Sequence, residues 1–267
     1  MRPERGSFRS VNVDDLCLGG HRQWRPGFSC EGHRRHGRPG DAARTVRSRG
    51  LVAQPSRTDG EKSGGHRVIY LVRHGETTWN RTGRQQGHHD SPLTDMGIEQ
   101  ARAAGRVLRY AIREIQAACI ETSPLGRARQ TALILAEVIG LDLDAVVVAP
   151  LLVEHHLGDW EGLTRVEIEA RYPGARQERE AHKWDYVVPG GESYARVAAR
   201  ARQWLASPRH AEVTIAVTHE MISRTIQAAY AELTVDEALA RSHRQDRIYC
   251  LHAGRVDEIS CRAQPPG

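Results

Sequence analysis

A run of five apolar residues, VIYLV at positions 68–72, limits the possible folds of this chain more than any other feature. The run is rich in β-branched residues and has no polar position, which is typical of a strand that is buried on both faces. The polar motif RHGET follows at once, at positions 73–77. A buried strand that ends against histidine, arginine and glutamate side chains therefore predicts a covered sheet with reactive groups at its edge.

Strands and helices alternate after this first strand. A polar loop extends to residue 93, and Thr94 is a good N-cap for a helix that ends near residue 116. Pro124, at a first-turn position, opens a helix that reaches Ile139, and Gly140 ends it. Such alternation predicts an α/β sheet that is covered on both faces. The other predicted elements are strands at 118–121, 145–148 and 213–217, helices at 164–171, 192–206 and 220–231, and a hairpin of 248–252 with 256–259.

The basic character of the chain belongs to its first quarter. Residues 1–65 contain thirteen basic and seven acidic residues, whereas residues 66–267 contain 25 basic and 26 acidic residues. The first segment has no sustained apolar periodicity, so we predict a disordered basic extension at 1–65 and one domain at 66–267. The extension is inert or follows a misassigned start site, or it is a tail for nucleic acid or anionic surfaces. An organelle-targeting role conflicts with its seven acidic residues.

Composition also limits the cellular setting. No run of about 18 apolar residues is present, so no membrane span is expected. The near-neutral domain gives no reason to expect a nucleic-acid partner. Five cysteines form no C-x-x-C pair and no set with zinc-ligand spacing, and unpaired thiols favour the cytoplasm.

Reactive side chains follow three of the predicted strands. Arg73 and His74 follow the first strand, and His219 follows the strand at 213–217. Arg127 and Arg129 lie just beyond the strand at 118–121. Because functional groups in open α/β sheets gather beyond the carboxyl ends of the strands, we expect these side chains to meet at one edge.

A loop at 152–162 adds carboxylates to this edge. Glu154, Asp159 and Glu161 are the candidates, and the spacing favours Glu154. Arginine forks bind phosphate oxygens, a neutral imidazole can attack phosphorus, and a carboxylic acid can protonate the leaving oxygen. This combination indicates phosphoryl transfer, a scheme that requires no metal.

Residues 67–260 resemble the histidine phosphatase superfamily, also called the phosphoglycerate mutase-like family. Five ordered motifs carry the resemblance: LVRHGET at 71–77, WN at 79–80 with QG at 86–87, DSPLT at 90–94, SPLGRARQTA at 123–132 and PGGES at 189–193. The resemblance implies a mixed, mostly parallel central sheet flanked by helices on both faces, and it implies no cofactor. It also implies a phosphorylated nucleophile at His74, a proton donor at Glu154, phosphoryl contacts from Arg73, Arg127, His219 and Asn80, and a substrate-facing turn at Gln86 and Gly87. Arg129 is then left as a structural or surface residue.

The chain departs from the family pattern after the second histidine, where Glu220 replaces a common glycine. A carboxylate there repels an anionic substrate unless it points away, pairs with an arginine or lies in the first turn of its helix. His155 after Glu154, and the sequence LTR at 163–165, resemble the phosphatase branch more than the mutase branch. We therefore predict a phosphomonoesterase acting on a small phosphorylated metabolite. A mutase or a non-catalytic binding protein are the alternatives, and the oligomeric state is open, a homodimer included.

Overall fold

The computed structural model describes residues 67–209 and 211–262. The predicted extension at 1–65 lies outside the described residues. Within the described ranges, no helix is long and apolar enough to cross a membrane.

A mixed sheet of six strands forms the centre of the described structure, in the order β3-β2-β4-β1-β5-β6. Neighbours among the first four pair in parallel, whereas β5 lies antiparallel to β1 and β6 antiparallel to β5. The predicted mixed, mostly parallel sheet is confirmed, and the sequence run at 68–72 lies near its centre. The strands are β1 Val68–Arg73, β2 Ala118–Thr122, β3 Val146–Val148, β4 Val213–Thr218, β5 Arg247–His252 and β6 Arg255–Ser260.

Helices cover both faces of this sheet. The α-helices within the described ranges are α1 Thr78–Thr82, α2 Asp95–Ala111, α3 Gly126–Ile139, α4 Arg165–Arg171, α5 Ala175–Ala181, α6 Tyr194–Ala206, α7 Glu220–Tyr230 and α8 Val235–Ala240. Along β1, Tyr70 and Val72 belong to the core that contains residues of α2 and α3. Ile69 and Leu71 belong to the core that contains residues of α6 and α7. The strand is thus buried on both faces, as its unbroken apolar run predicts.

Several boundaries differ from the prediction. Helix α2 ends at Ala111 because Ile112 turns to an extended conformation and its side chain packs into the core. No glycine or proline marks that position in the sequence. Helix α3 begins at Gly126 with Leu125 as N-cap, so Pro124 precedes the helix instead of occupying its first turn. Strand β3 begins at Val146, and α6 begins at Tyr194 with Ser193 as N-cap.

Three short helices differ from the sequence-based expectation, which includes none of them. Helix α1 lies within the segment expected to be a loop, α5 has no apolar periodicity, and α8 is only six residues long. Thr234 and Glu237 form a capping box at the start of α8. That S/T-x-x-E spacing is a helix-start signal that sequence reasoning could have used.

Candidate active site

Backbone hydrogen bonds bring the ends of three strands together. The His74 amide donates to the Thr218 carbonyl over 2.9 Å, and the Ser123 amide donates to the Val217 carbonyl over 3.0 Å. His74 and His219 therefore lie side by side, with 5.1 Å between their ring centroids. Arg127 reaches the same place from the first turn of α3. All three side chains are buried, as expected for groups that share one sheet edge.

The His74 ring is held in one tautomer by a single backbone contact. Its Nδ1 lies 2.8 Å from the Gly75 carbonyl oxygen. Because a carbonyl only accepts, Nδ1 carries the proton and Nε2 carries the free electron pair. Burial, followed by the positive charges of Arg127 and Arg73, holds the pKa of His74 well below its usual range. The ring is therefore a neutral imidazole with Nε2 available as a nucleophile.

Arg127 is fixed by the loop that precedes α2. Its Nη2 donates to the Gly87 carbonyl over 2.8 Å, and its Nη1 donates to the His89 carbonyl over 2.7 Å. Nη1 also pairs with Asp90 at 3.0 Å, and the Asp90 carboxylate accepts from the Gly126 and Arg127 amides. The buried Nε of Arg127 has no partner among the described residues. Arg127 is thus rigidly held while its Nε–H and the second N–H of Nη2 remain for a ligand.

Arg73 is held in a similar way, and Glu220 is one of its partners. Nη1 of Arg73 donates to the His243 carbonyl over 2.7 Å and pairs with Glu220 at 2.9 Å. The second oxygen of Glu220 pairs with Arg224, one turn further along α7. Two of the three conditions considered for Glu220 are therefore met, since it lies in the first helical turn and pairs with arginines. Both contacts of Arg73 use Nη1, and its buried Nε has no partner in the described part of the chain, so Nε and Nη2 form the edge left for an anion.

His219 caps the carboxyl end of β4 and precedes α7. Its Nε2 lies 2.7 Å from the Ser123 hydroxyl, and its buried Nδ1 has no partner within the described part of the chain. Burial, then the charge of Arg127, lowers the pKa of His219 well below the usual value. The Ser123 hydroxyl can donate its proton to His219 Nε2 while its oxygen accepts from the Leu125 amide. In that arrangement His219 offers an Nδ1–H donor.

The Glu154 carboxylate lies at the amino end of α7. It accepts hydrogen bonds from the amides of His155 at 2.8 Å, Met221 at 3.2 Å and Ile222 at 3.3 Å. The rival Glu161 is buried and accepts from the backbone of residues 88, 89 and 157, so it braces loops. The rival Asp159 is exposed. Of the three carboxylates, Glu154 alone lines the cavity that contains His74.

That cavity has a volume of about 960 Å³. Asn80, Gln86 and Gly87 line it, whereas Arg129 is exposed on α3. Gln86 also accepts from the Ser91 hydroxyl over 3.2 Å, so part of its amide is used within the loop. Sequence reasoning missed other lining residues, among them Arg179 on the unpredicted α5, and Tyr194 and Arg224 on helices whose facing side chains it could not select.

Gly87 is the position in this loop where the backbone geometry requires glycine. Its φ is +52°, and a Cβ there would lie 2.0 Å from Oε1 of Glu161. Gly83 has φ +69°, and a Cβ there would have no atom within 4 Å, so it is a matched control. We expect Gly83→Ala to destabilise the fold by about 1 kcal/mol and Gly87→Ala by about 3 kcal/mol, measured by urea unfolding. Gly87→Ala should also reduce ligand binding because the Gly87 carbonyl holds Arg127; equal effects of the two substitutions would contradict this account.

Comparisons with known proteins identify the family of the chain. The family model for the histidine phosphatase superfamily (branch 1) matches residues 69–257. Glucosyl-3-phosphoglycerate phosphatase of Mycobacterium tuberculosis is 37% identical over 181 residues, covering 63% of this chain and 77% of the relative. Metal-independent phosphoserine phosphatase of Arabidopsis thaliana is 34% identical over 192 residues, covering 68% and 79%.

A third relative has a mutase name. A probable phosphoglycerate mutase, GpmB, of Photorhabdus laumondii is 39% identical over 201 residues, covering 71% of this chain and 84% of the relative. Among solved structures, a mycobacterial glucosyl-3-phosphoglycerate phosphatase with bound VO3 superposes with a TM-score of 0.58. It is 33% identical, and the match covers 69% of this chain and 90% of that one.

Proposed function

Because the chain belongs to the histidine phosphatase superfamily (branch 1), we propose that it is a metal-independent phosphomonoesterase for a small phosphorylated metabolite. One observation carries the proposal: the neutral His74 ring shares its cavity with Arg73 and Arg127 and lies against His219, and each of these three side chains has a buried nitrogen with no partner among the described residues. These nitrogens are Nε of Arg73, Nε of Arg127 and Nδ1 of His219. Unpaired buried donors are costly, and phosphoryl oxygens would satisfy all of them.

The proposed reaction has two steps. In the first step, Nε2 of His74 attacks phosphorus, the P–O bond to the leaving group breaks, and the Glu154 carboxylic acid protonates the leaving oxygen. In the second step, water attacks the phosphohistidine and gives a proton to the Glu154 carboxylate, while the P–N bond breaks. The second step restores His74 and Glu154 and releases inorganic phosphate.

Arg73, Arg127 and His219 have electrostatic roles in this scheme. In the proposal, their donors bind the transferred phosphoryl group, where negative charge is spread over its oxygens. Each is held by partners other than substrate, namely His243, Gly87 and Ser123. Fixed donors need little reorganisation during the reaction, which favours catalysis. Asn80 is proposed as a further donor, and Gln86 and Gly87 as parts of the substrate-facing wall.

The loop after Glu154 favours hydrolysis over mutase chemistry. His155, where the mutase pattern has arginine, is buried and donates to the Glu192 carbonyl over 2.7 Å. Burial lowers the pKa of His155 to about 4, so it adds no positive charge to the cavity. In the LTR sequence at 163–165, which also differs from the mutase pattern, Thr164 caps α4 and forms a capping box with Glu167. A mutase remains the second candidate because relatives with that name are equally similar.

The proposal predicts release of inorganic phosphate from simple esters. We expect purified protein to hydrolyse p-nitrophenyl phosphate in the presence of a chelator, with phosphate and p-nitrophenol released in equal amounts. With 3-phosphoglycerate as substrate, the rate of phosphate release should exceed the rate of conversion to 2-phosphoglycerate. Both rates can be measured by ³¹P NMR. Faster isomerisation than release would favour the mutase. Absence of both turnover and a phosphoenzyme with any donor would favour a non-catalytic binding protein.

The proposed setting is the reducing cytoplasm. Cys119, Cys250 and Cys261 are free thiols in the described structure, and burial raises the pKa of Cys250 and Cys261 to about 12. Buried, protonated thiols are inert, so the side chains of Cys250 and Cys261 support packing instead of redox chemistry.

A further inference from the structure

The loop between α8 and β5, residues 241–246, contacts two of the proposed phosphate ligands. The His243 carbonyl accepts from Nη1 of Arg73 over 2.7 Å. Nε2 of Gln245 donates to Oδ1 of Asn80 over 3.1 Å, across 165 positions of sequence. None of the family motifs in the sequence includes this loop. Arg73 and Asn80 lie in separate elements, so a shared support sets their relative position.

His243 anchors the loop through a buried network. Its Nε2 lies 3.1 Å from the Arg247 carbonyl and therefore donates, which leaves Nδ1 to accept from the Ser223 hydroxyl over 2.6 Å. Burial, then the charge of Arg73, lowers the pKa of His243 to about 3, so the ring stays neutral and keeps both roles. Tyr249 adds a third restraint because its ring packs edge-on against His243 and its hydroxyl proton is shared between the Ser242 carbonyl at 3.0 Å and the Glu258 carboxylate at 2.9 Å. The carbonyl that holds Arg73 is thus rigid.

Gln245 and Thr77 together determine how the Asn80 amide is turned. An asparagine side chain can present either its oxygen or its NH₂ group, and the choice depends on its partners. Three donors meet at Oδ1 of Asn80: Gln245 Nε2, the Thr77 amide and the Thr77 hydroxyl, each at 3.1 Å. Since the oxygen is used three times, the NH₂ group is the end left for an anion. Asn80 lines the cavity that contains His74.

We propose that the 241–246 loop is a positioning element for phosphate binding, with Gln245 orienting Asn80 and His243 holding Arg73. Gln245 donates to Asn80 and needs no contact with substrate. Because the same short segment contacts both Arg73 and Asn80, the loop also sets the position of one relative to the other. This inference rests on the proposed function only for the identity of the anion, which is a phosphoryl group.

A double-mutant cycle tests the interaction between Gln245 and Asn80. Gln245→Met keeps the length of the side chain and removes its donor, so we expect the dissociation constant of inorganic phosphate to rise about fivefold. In an Asn80→Ala background the same substitution should change it by less than about twofold, because the interaction is already absent. Arg244→Gln, an exposed change on the same loop, is the control and should alter neither binding nor melting temperature. Calorimetric titration with inorganic phosphate gives the dissociation constants.

Rescue by a conservative variant tests whether His243 holds Arg73 in place. His243→Ala should weaken inorganic phosphate binding about tenfold, and His243→Asn, which can keep the contact with Ser223, should recover part of that loss. If His243→Ala fails to fold, the Gln245 cycle alone decides. Equal effects of Gln245→Met with and without Asn80, or no effect in either, would overturn the proposal. Phosphate binding is measured without turnover. A failure to hydrolyse esters would therefore count against the proposed function, whereas the binding data would still test the role of the 241–246 loop.

Discussion

His74→Ala is expected to abolish turnover of p-nitrophenyl phosphate, lowering kcat by at least about 10⁴-fold while the fold persists. The substitution removes Nε2, the only protein atom in the proposed scheme that forms a bond to phosphorus. Within residues 67–209 and 211–262 its side chain makes one hydrogen bond, from Nδ1 to the neighbouring Gly75 carbonyl, so little else depends on it. The measurement is steady-state kinetics together with a thermal melt of the variant.

The phosphoenzyme gives a more direct test of the same residue. Wild-type protein quenched during turnover should carry phosphate in an acid-labile bond, and His74→Ala should carry none. His182→Ala is a suitable control because His182 is exposed and does not line the cavity. Retained turnover in His74→Ala, or a phosphoenzyme that survives the substitution, would remove His74 from the role of nucleophile.

The charges around His74 explain why it needs no separate base. Many nucleophilic side chains must lose a proton before they react, but a neutral imidazole already has a free electron pair. Arg73 and Arg127 both oppose protonation of His74, and burial opposes it more strongly. The same two arginines are the proposed phosphate ligands. One pair of guanidinium groups therefore attracts the anion and keeps the nucleophile in its reactive form.

Strand ends are predictable because they follow from local patterns. The apolar run at 68–72 identifies β1, and its position next to RHGET identifies the site edge that the structure forms. Strand β4 and His219 follow the same logic. By contrast, α1 and α5 are short and largely polar, and their positions depend on tertiary contacts. A residue such as Arg179 could not be placed in the cavity from sequence for that reason.

Positioning residues are the least predictable part of the site. Gln245 and His243 have no motif, and each acts through one contact that is distant in sequence. Glu220 illustrates a different limit. Its sequence neighbours indicate a helix start, but its pairing with Arg73 and Arg224 depends on the directions of side chains. Patterns of residue type can place a chemical group at a sheet edge, whereas the partners that orient it require the folded structure.

Glu154→Gln should cause a loss of activity that depends on the leaving group. For an alkyl phosphate such as glycerol 3-phosphate, the leaving alkoxide needs a proton, and we expect phosphoenzyme formation to slow by about 10³-fold. For p-nitrophenyl phosphate, the phenolate is stable without protonation, and formation should slow by less than about 10-fold. The amide oxygen of glutamine can still accept from Met221 and Ile222, so the start of α7 should be preserved.

Rapid-mixing kinetics separate this effect from the role of Glu154 in the second step. Without a base to activate water, the phosphoenzyme of Glu154→Gln should accumulate, so p-nitrophenol should appear in a burst equal to the enzyme concentration, followed by slow turnover. Asp159→Asn is the matched control because Asp159 is an exposed carboxylate on the same loop, and its kinetics should be unchanged. Equal slowing of phosphoenzyme formation for both esters would show that Glu154 supports the pocket without donating a proton. Because the charge at the amino end of α7 changes identically in both assays, only proton transfer predicts a difference between the two esters.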